Sequence, residues 1–571
     1  MNRRRTAAAL PFVASLFALG RVALGITALG MTACASAGMG GASSGGSGGF
    51  SRRDERQFIG SFADVRAISV SRRYVFSATP SGIGIYDRLF NTWLPPFTRD
   101  NGFTDNQLTA FAADPVEDAV WYGAPGAIVS YRPQIEQVQR TIIIGVPDLI
   151  AFDKSPVGDV YVRAGGQWTR VSRTGLASPA SAPPAVSSLV LPRTLNDLYT
   201  QFPGLRAQQS LLFRDQRADR ALRSYPVISG ASSPERVGEA WLGTSGDGLY
   251  KVDPTFQQAT PLRYGPIESG IGALALALDG VWAAGLGQLQ QRAGLSFTNN
   301  DLQRWRWIDG TIAVPMLGMR AQVMTVRAQR AWIGTDRGLV RVRTDAGENI
   351  AVWTTLDGLP DDRIYSIAAV GDGAWVGTAR GLAWVSDSSD ARNSRTRGIG
   401  TQLLGNTSIY ALQAIGDTLW IGTPAGLVAL AGVSSGHTSA STLVRPLGAD
   451  PALRRAVRAL AWSDTVLLAA TDDAVLRLTP RRATEPVRVP ELDVRQVGQV
   501  VRVGIDDRTM WMAGSDGVVI VPRNGGTLRG LRVPNDLPAP PTDIVASKDW
   551  FWISTPVGIV RLRRMSDGGL P

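Results

Sequence analysis

Ala331-Trp332-Ile333-Gly334-Thr335-Asp336-Arg337-Gly338-Leu339 is a nine-residue phrase that returns along the chain with small changes. It recurs as residues 374–382 and 419–427, and an earlier copy begins at residue 240. The motif tryptophans at positions 332, 375 and 420 are spaced by 43 and then 45 residues. A repeat of this length, composed of short strand-like pieces and turns, is typical of a β-propeller.

Weaker copies of the phrase bring the number of repeats to eleven. They occupy residues 75–79, 120–123, 160–162, 281–285, 468–471, 510–514 and 551–555. Single propellers usually contain about four to eight blades, so eleven repeats predict two rings. The predicted fold class is therefore all-β, with about eleven blades in two propellers.

One copy of the repeat predicts the strands of one blade. Side chains alternate along a strand, so Trp332 and Gly334 face one side while Ile333 and Thr335 face the other. Gly334 leaves room for a bulky residue of the next blade. Strands are then predicted near residues 339–342, 351–355 and 363–369, with turns at 336–338 and 357–360.

This pattern resembles the repeats of the two-component-regulator propeller family, which read roughly G-L-P, V-x-x-I, L-W-I-G-T and G-L. The residues that carry the resemblance are Gly358-Leu359-Pro360, Ile364, Ile367, Trp375-Val376-Gly377-Thr378 and Gly381-Leu382. The likeness spans roughly residues 60–565 and is strongest from 241 to 430. It implies a propeller that often forms the periplasmic sensor half of a membrane kinase. Because the sequence ends within the last repeat, the kinase role is not carried over.

The last repeat supplies three strands, near residues 542–546, 551–554 and 558–562. We predict that residues 57–61 supply the missing outer strand and so close a ring. One ring would then mix N-terminal and C-terminal blades, and the other would form from the middle of the chain.

The N-terminus has the pattern of an export signal. Three arginines at positions 3–5 precede apolar runs, and Met31-Thr32-Ala33-Cys34 resembles a bacterial lipobox. Cys34 is the single cysteine of the chain. We therefore predict a lipoprotein signal at 1–33, lipidation of Cys34, a Gly/Ser-rich tether at 34–54 and a propeller region at 55–571. By resemblance, Ala35 after the cysteine implies the outer membrane rather than the inner one.

The region from 179 to 226 interrupts the repeat. Small residues and prolines give way to helix-forming residues, which predicts a helical insertion near 190–222. Such an insertion either has a function of its own or covers a sheet edge.

The sequence offers little catalytic or metal-binding chemistry. His437 is the single histidine and lies among small polar residues, which suits solvent exposure better than general-base catalysis. We find no His/Cys ligand cluster, so we expect no metal and no cofactor. Acidic pairs at 361–362, 472–473 and 506–507 fall where turns are expected. Despite a formal net charge of +11, the sequence shows no basic stripe interleaved with exposed aromatic residues of the kind that nucleic-acid-binding proteins have, so we expect no nucleic-acid partner.

The remaining candidate site is the propeller surface. Loops between the second and third strands share one face with the loops between blades, and both carry charged residues. The candidate binding residues are Asp247, Asp336, Arg337, Asp361, Asp362, Arg380 and Asp516. Turns favour these residue types in any case, so their presence can be explained without a ligand.

Three functions are consistent with the sequence. The first is a non-enzymatic, lipid-anchored module that binds a protein or an envelope ligand. The second is an envelope enzyme, a lyase or hydrolase acting on polysaccharide in a propeller funnel. The third is the ligand-sensing subunit of a signalling system.

The lipid anchor can be tested directly. Replacing Cys34 with alanine removes the thiol that would carry the lipid, so we expect the exported Cys34→Ala protein to leave the membrane fraction. The measurement is membrane partitioning after export, with the unmodified chain as control. A Cys34→Ala protein that still partitions with membranes would contradict the prediction.

Overall fold

The computed structural model describes residues 55–103, 108–154, 158–180, 184–207, 225–233, 238–255, 258–287, 294–310, 318–345, 350–386, 396–398, 404–433, 443–444, 451–480, 486–523 and 528–565. The predicted signal, Cys34 and the tether lie outside these residues. The described residues form eleven antiparallel sheets. The first strand of the chain, β1 (Arg56–Ile59), belongs to the last sheet rather than the first.

The next four sheets form a small ring. We number its blades 1 to 4 in chain order. The innermost strand of blade 1 contacts those of blades 4 and 2, and the innermost strand of blade 2 also contacts that of blade 3. The strands are β2 Ala67–Val70, β3 Tyr74–Thr79, β4 Gly82–Asp87 and β5 Thr92–Phe97 in blade 1; β6 Ala110–Ala113, β7 Val120–Ala124, β8 Ala127–Arg132 and β9 Gln137–Ile142 in blade 2; β10 Pro147–Asp153, β11 Val160–Ala164, β12 Gln167–Val171, β13 Ala177–Pro179 and β14 Leu189–Val190 in blade 3; and β15 Val227–Ser232, β16 Ala240–Thr244, β17 Leu249–Asp253 and β18 Gln258–Leu262 in blade 4.

The remaining seven sheets form a large ring, in which each innermost strand contacts the next and the last contacts the first. The strands are β19 Ile271–Leu276, β20 Gly280–Gly285, β21 Gly294–Asn299 and β22 Trp305–Asp309 in blade 5; β23 Ala321–Arg327, β24 Arg330–Thr335, β25 Gly338–Arg343 and β26 Ile350–Trp353 in blade 6; β27 Ile364–Val370, β28 Gly373–Thr378, β29 Gly381–Ser386 and β30 Thr396–Gly398 in blade 7; β31 Ala411–Ile415, β32 Thr418–Thr423, β33 Gly426–Ala431 and β34 Leu443–Val444 in blade 8; β35 Val457–Ser463, β36 Val466–Thr471, β37 Val475–Leu478 and β38 Val487–Arg488 in blade 9; β39 Val500–Ile505, β40 Thr509–Gly514, β41 Gly517–Pro522 and β42 Arg529–Arg532 in blade 10; and β43 Asp543–Ala546, β44 Trp550–Thr555 and β45 Gly558–Arg563 in blade 11.

The N-terminal strand closes the large ring. β1 pairs antiparallel with β45, with Phe58 opposite Val560. The Arg561 side chain donates to the Gln57 side chain at 2.8 Å and lies over the Trp550 ring at 3.9 Å. Burial lowers the pKa of Arg561 to about 10. The predicted closure by this segment is confirmed.

The predicted division of the blades between the rings is wrong. The large ring takes only one strand from the N-terminal region, and its other blades are consecutive from 271 to 563. The small ring consists of the first four blades instead of blades from the middle of the chain. It is thus inserted between the first strand of the large ring and the rest of that ring.

The predicted helical insertion replaces a blade. Its described part contains α1 (Leu195–Gln201) and α2 (Pro203–Ala207), whereas 208–224 lie outside the described residues. Helix α1 packs on β15, and Leu198 and Leu205 share a buried cluster with Leu242 of β16. The helices therefore cover a face of blade 4 that has no neighbouring blade against it.

Neighbouring blades approach closely at the glycine of the repeat. A Cβ atom on Gly377 would lie 2.6 Å from a methyl group of Ile409, in the chain leading into the next blade. A Cβ atom on Gly334 would lie 2.6 Å from Ile364 in the same way. Because such distances are shorter than any van der Waals contact, only glycine allows this packing. The predicted role of Gly334 is confirmed.

The threonine of the repeat closes the turn that follows it. Thr335 donates to the carbonyl of Gly338 at 2.7 Å and accepts from the Arg337 amide at 3.0 Å. The same hydroxyl-to-carbonyl bond recurs after β3, β16, β28, β32, β36 and β44. A buried hydroxyl that satisfies a turn explains why the sequence repeats threonine at this position.

The two rings share an aromatic seam. Tyr264, in the segment that leads from blade 4 to blade 5, is buried among the rings of Phe62, Trp93 and Trp305 at centroid distances of 5.3, 5.2 and 5.7 Å. Phe62 lies in the segment that leads from β1 to blade 1. Both crossings between the rings therefore contribute to one apolar cluster.

Adding a side chain at the blade contact tests the packing. We expect Gly377→Val to lower the free energy of unfolding by about 2–3 kcal/mol, because the new methyl groups overlap Ile409. The measurement is urea unfolding.

The matched control is Gly530→Val, since a Cβ atom at that position in β42 meets nothing within 4 Å. It should change the unfolding free energy by less than about 0.5 kcal/mol. Equal effects of the two substitutions would contradict the packing argument.

Candidate functional site at the mouth of the large ring

The predicted binding residues lie in turns and in loops between blades. Arg337, Arg380 and Asp516 are exposed; Asp336, Asp361 and Asp362 are half-buried. Asp247 is only 3% exposed and accepts from the Tyr250 hydroxyl in the small ring. The seven residues therefore do not form one cluster.

Two of these residues come together in blade 7. Asp361, in the loop before β27, lies 3.4 Å from Arg380, in the turn after β28. Asp362 accepts from the Thr355 amide at 2.6 Å, and Asp336 accepts from the Arg320 amide at 2.8 Å. The contacts of Asp361 and Asp336 each join a turn to a loop between blades, whereas Asp362 and Thr355 belong to the same loop.

The innermost strands carry a second set of residues that the sequence analysis did not single out. In blades 5, 6, 7, 9 and 10, the register of the first strand shifts by one residue near its start. A residue at such a bulge is re-aimed relative to the regular alternation. In these blades the bulged residues are Gly272, Gln322, Tyr365, Arg458 and Val501. Tyr410 and Thr542 stand at the same position in the other two blades.

Three consecutive bulge positions are in contact across blades 7, 8 and 9. The Tyr365 and Tyr410 rings are 6.1 Å apart, and the Arg458 guanidinium lies 4.6 Å from the Tyr410 ring centre. Arg458 also donates to Asp472 at 2.9 Å, and this hydrogen bond raises the pKa of Arg458. All three side chains belong to half-buried residues. We call Tyr365, Tyr410 and Arg458 the aromatic arc.

A buried ion pair crosses the other side of the mouth. Arg502 of blade 10 donates to Asp543 of blade 11 at 3.0 Å and to the carbonyl of Gln322 in blade 6 at 2.8 Å. Asp543 also accepts from the Leu274 amide of blade 5 at 2.9 Å. Burial raises the pKa of Asp543, and Arg502 opposes that rise. This network joins four blades and occupies the side of the channel opposite the aromatic arc.

The acidic pairs singled out in the sequence take part in local contacts. Asp472 and Asp473 pair with Arg458 and Arg455. Asp506 accepts from the Thr509 amide at 2.8 Å and pairs with Arg564. His437 lies outside the described residues. In the described part of the chain no group of three or more His, Cys, Asp or Glu side chains could hold a metal ion.

No membrane-spanning helix is present either, as far as the described ranges extend, because their helices lack the necessary length and hydropathy.

The comparisons with known proteins bear on the fold. No protein-family model matches the sequence, and no curated protein matches it. Among solved structures, PorZ, an essential bacterial surface component of the type-IX secretion system of Porphyromonas gingivalis, aligns at a TM-score of 0.51 and 12% identity over 89% of this chain and 87% of that chain. The present chain is a double β-propeller. The propeller architecture implied by the two-component-regulator repeats is therefore confirmed at the level of fold.

Two further structures align less closely. The extracellular domain of the putative one component system BT4673 from B. thetaiotaomicron aligns at a TM-score of 0.35 and 12% identity, over 88% of this chain and 69% of that chain. BamB from Moraxella catarrhalis aligns at a TM-score of 0.35 and 11% identity, over 60% of this chain and 100% of that chain.

The buried pair at the mouth yields a stability prediction. Arg502→Met leaves the Asp543 carboxylate buried without its cation, which should lower the free energy of unfolding by about 3 kcal/mol at pH 8. The double variant Arg502→Met/Asp543→Asn removes both charges and should be more stable than the single variant. The measurement is urea unfolding of all three proteins.

The pH dependence of Arg502→Met has a defined sign. Loss of Arg502 raises the pKa of Asp543 further, so the folded state binds a proton more readily than the unfolded state. Stability should then be greater at pH 5 than at pH 8 and fall as the pH rises. A single variant as stable as the double variant at pH 8 would contradict this account.

Proposed function

We propose that this protein is a non-enzymatic binding module that is exported to the bacterial cell envelope and held there by a lipid on Cys34. The loop face of the large ring would receive a protein partner, and the aromatic arc would be its centre. The anchor follows from the sequence pattern at 31–34 and would place the protein at the outer membrane.

The observation that carries this proposal is the asymmetry of the bulge positions. Blades 7, 8 and 9 present two tyrosines and an arginine in mutual contact, whereas blades 5, 6, 10 and 11 present Gly272, Gln322, Val501 and Thr542. Tyrosine and arginine are enriched at the energetic centres of protein interfaces. Because these side chains are half-buried and in contact before a partner binds, less side-chain entropy is lost on binding.

The contacts of the acidic residues support a role without catalysis. Asp361, Asp472, Asp473 and Asp506 each lie in an ion pair with arginine. A carboxyl group that acts as a general acid is typically isolated in an apolar pocket, whereas each of these four lies beside a cation. Asp543, the buried carboxylate of the mouth, likewise accepts a hydrogen bond from an arginine, Arg502.

A surface location agrees with one similar protein. PorZ is described as a bacterial surface component of a secretion system, and the present chain shares its fold at 12% identity. Such a likeness extends to the fold alone, so the partner has to be found by experiment.

The test uses capture of partners from the native envelope. We expect the anchored wild-type protein to retain a specific partner after cross-linking, and Tyr365→Ala/Tyr410→Ala to reduce its recovery at least about tenfold. Quantitative mass spectrometry of the captured proteins is the measurement.

The matched control is Gln322→Ala/Val501→Ala, which changes the same strand position on the opposite side of the mouth. This variant should retain the partner. Equal recovery with both double variants, or hydrolysis or elimination of envelope polysaccharide by the wild-type protein, would overturn the proposal.

A further inference from the structure

The small ring contains a cavity of its own. Its central channel has a volume of about 850 Å³ and is lined by the innermost strand of each of its four blades and by the segment that leads into α1. Ligand sites commonly have volumes of about 300–1,000 Å³. The channel is therefore large enough to hold a small organic molecule.

The side chains at the mouth of this channel come from the same strand position as the bulge residues of the large ring. Asp148 and Ile228 are the bulged residues of β10 and β15, and both line the channel. Arg66 and Thr109 stand at the corresponding position in blades 1 and 2 and also line it. Each blade thus contributes one variable side chain to the opening, and the four are chemically different.

The mixed lining of the channel includes apolar side chains that are incompletely covered. Leu108, Phe111, Leu149 and Leu195 line the channel and are half-buried, and Ile228 is 41% exposed. Water in contact with apolar side chains inside a concave space is displaced favourably by an apolar ligand. The walls therefore favour a ligand with an apolar body.

The charges at the channel favour an anion. Arg66 lies 3.1 Å from Asp64, and Asp148 lies 3.0 Å from Arg163, so these charges are compensated in pairs. Arg193 instead donates to the neutral hydroxyl of Ser232. The acidic residue nearest to it in sequence, Asp197, accepts from the Thr194 amide at 2.7 Å at the start of α1. Asp197 keeps its negative charge, and the hydrogen bonds from Thr194 together with the charge of Arg193 lower its pKa. Among the described lining residues themselves, Arg66 and Arg193 outnumber the single carboxylate of Asp148, so the lining carries a net positive charge.

We propose that the small-ring channel binds a small organic anion with an apolar body, such as a medium-chain carboxylate. The apolar portion lies against Leu108, Phe111 and Leu149, and the carboxylate pairs with Arg193. This site is separate from the aromatic arc, so its occupation does not depend on the function proposed for the large ring.

The test uses 8-anilinonaphthalene-1-sulfonate, which combines an aromatic body with one negative charge. The protein is the full chain carrying Cys34→Ala, so that no detergent competes for the channel. We expect saturable binding of one probe molecule, measured by its fluorescence, and displacement by octanoate. Octylamine, which has the same chain length and the opposite charge, should require at least about a tenfold higher concentration.

Two variants connect binding to the channel. Ile228→Trp fills the channel from a bulge position and should weaken probe binding at least about tenfold. Arg193→Gln should weaken competition by octanoate by about three- to tenfold and leave that by octylamine unchanged. The control is Leu278→Trp, because Leu278 is fully exposed in the turn between β19 and β20 of the large ring.

Each outcome decides the proposal. The melting temperature of each variant shows whether it is folded. Unchanged binding by folded Ile228→Trp would place the probe elsewhere and overturn the channel assignment. Equal competition by octanoate and octylamine would overturn the preference for an anion. If Ile228→Trp fails to fold, Arg193→Gln decides the matter, since loss of selectivity for octanoate supports the site and unchanged selectivity refutes it.

Discussion

Neighbouring blades of this protein approach each other closely at the glycine of the strongest repeats, and the positions of the other groups in these blades depend on that approach. At Gly334 and Gly377 the side chain of the following blade occupies the space that a Cβ atom would fill. Since the sheets are fixed at this distance, the first strand of each blade is held at the wall of a channel. A bulge near the start of that strand then presents one side chain at the mouth. The residues of the repeated phrase recur because packing between blades restricts their size. The residues at the bulge positions vary because packing does not restrict them.

Much of the fold could be predicted because it rests on local, repeated patterns. Trp332, Gly334 and Thr335 each have a role that alternation and turn chemistry explain, and the incomplete last repeat indicated a strand from the N-terminus. The assignment of blades to rings could not be predicted. Contacts between innermost strands close the ring of seven, whereas in the small ring they join blades 4, 1, 2 and 3 in that order without linking blade 3 to blade 4 in the same way. No residue of a single repeat indicates this difference. Helices α1 and α2 end the small ring by covering blade 4, a role that helical periodicity does not reveal.

The site was harder to predict than the fold for a related reason. Tyr365 lies inside β27 and Tyr410 directly precedes β31, in segments whose alternation is typical of ordinary core strands. A one-residue bulge such as that at Tyr365 changes where a side chain lies without leaving a sequence signal. Arg502 reaches Gln322, which is 180 positions away in the chain. Contacts of this kind follow from ring geometry alone. Charged turn residues such as Asp361 and Arg380 are conspicuous in the sequence, yet their contacts show that they join loops to turns within a blade.

The pairing of β1 with β45 determines the order in which the molecule can be completed. Gln57 and Arg561, which meet in this blade, are separated by 504 residues. Because the chain is synthesised from its N-terminus, the four-bladed ring can finish while the first strand still has an unpaired edge. That edge is a site for mispairing until the last repeat arrives, and contacts so distant in sequence form slowly. Folding of this protein therefore leaves one strand without its partner until nearly the whole chain has been made.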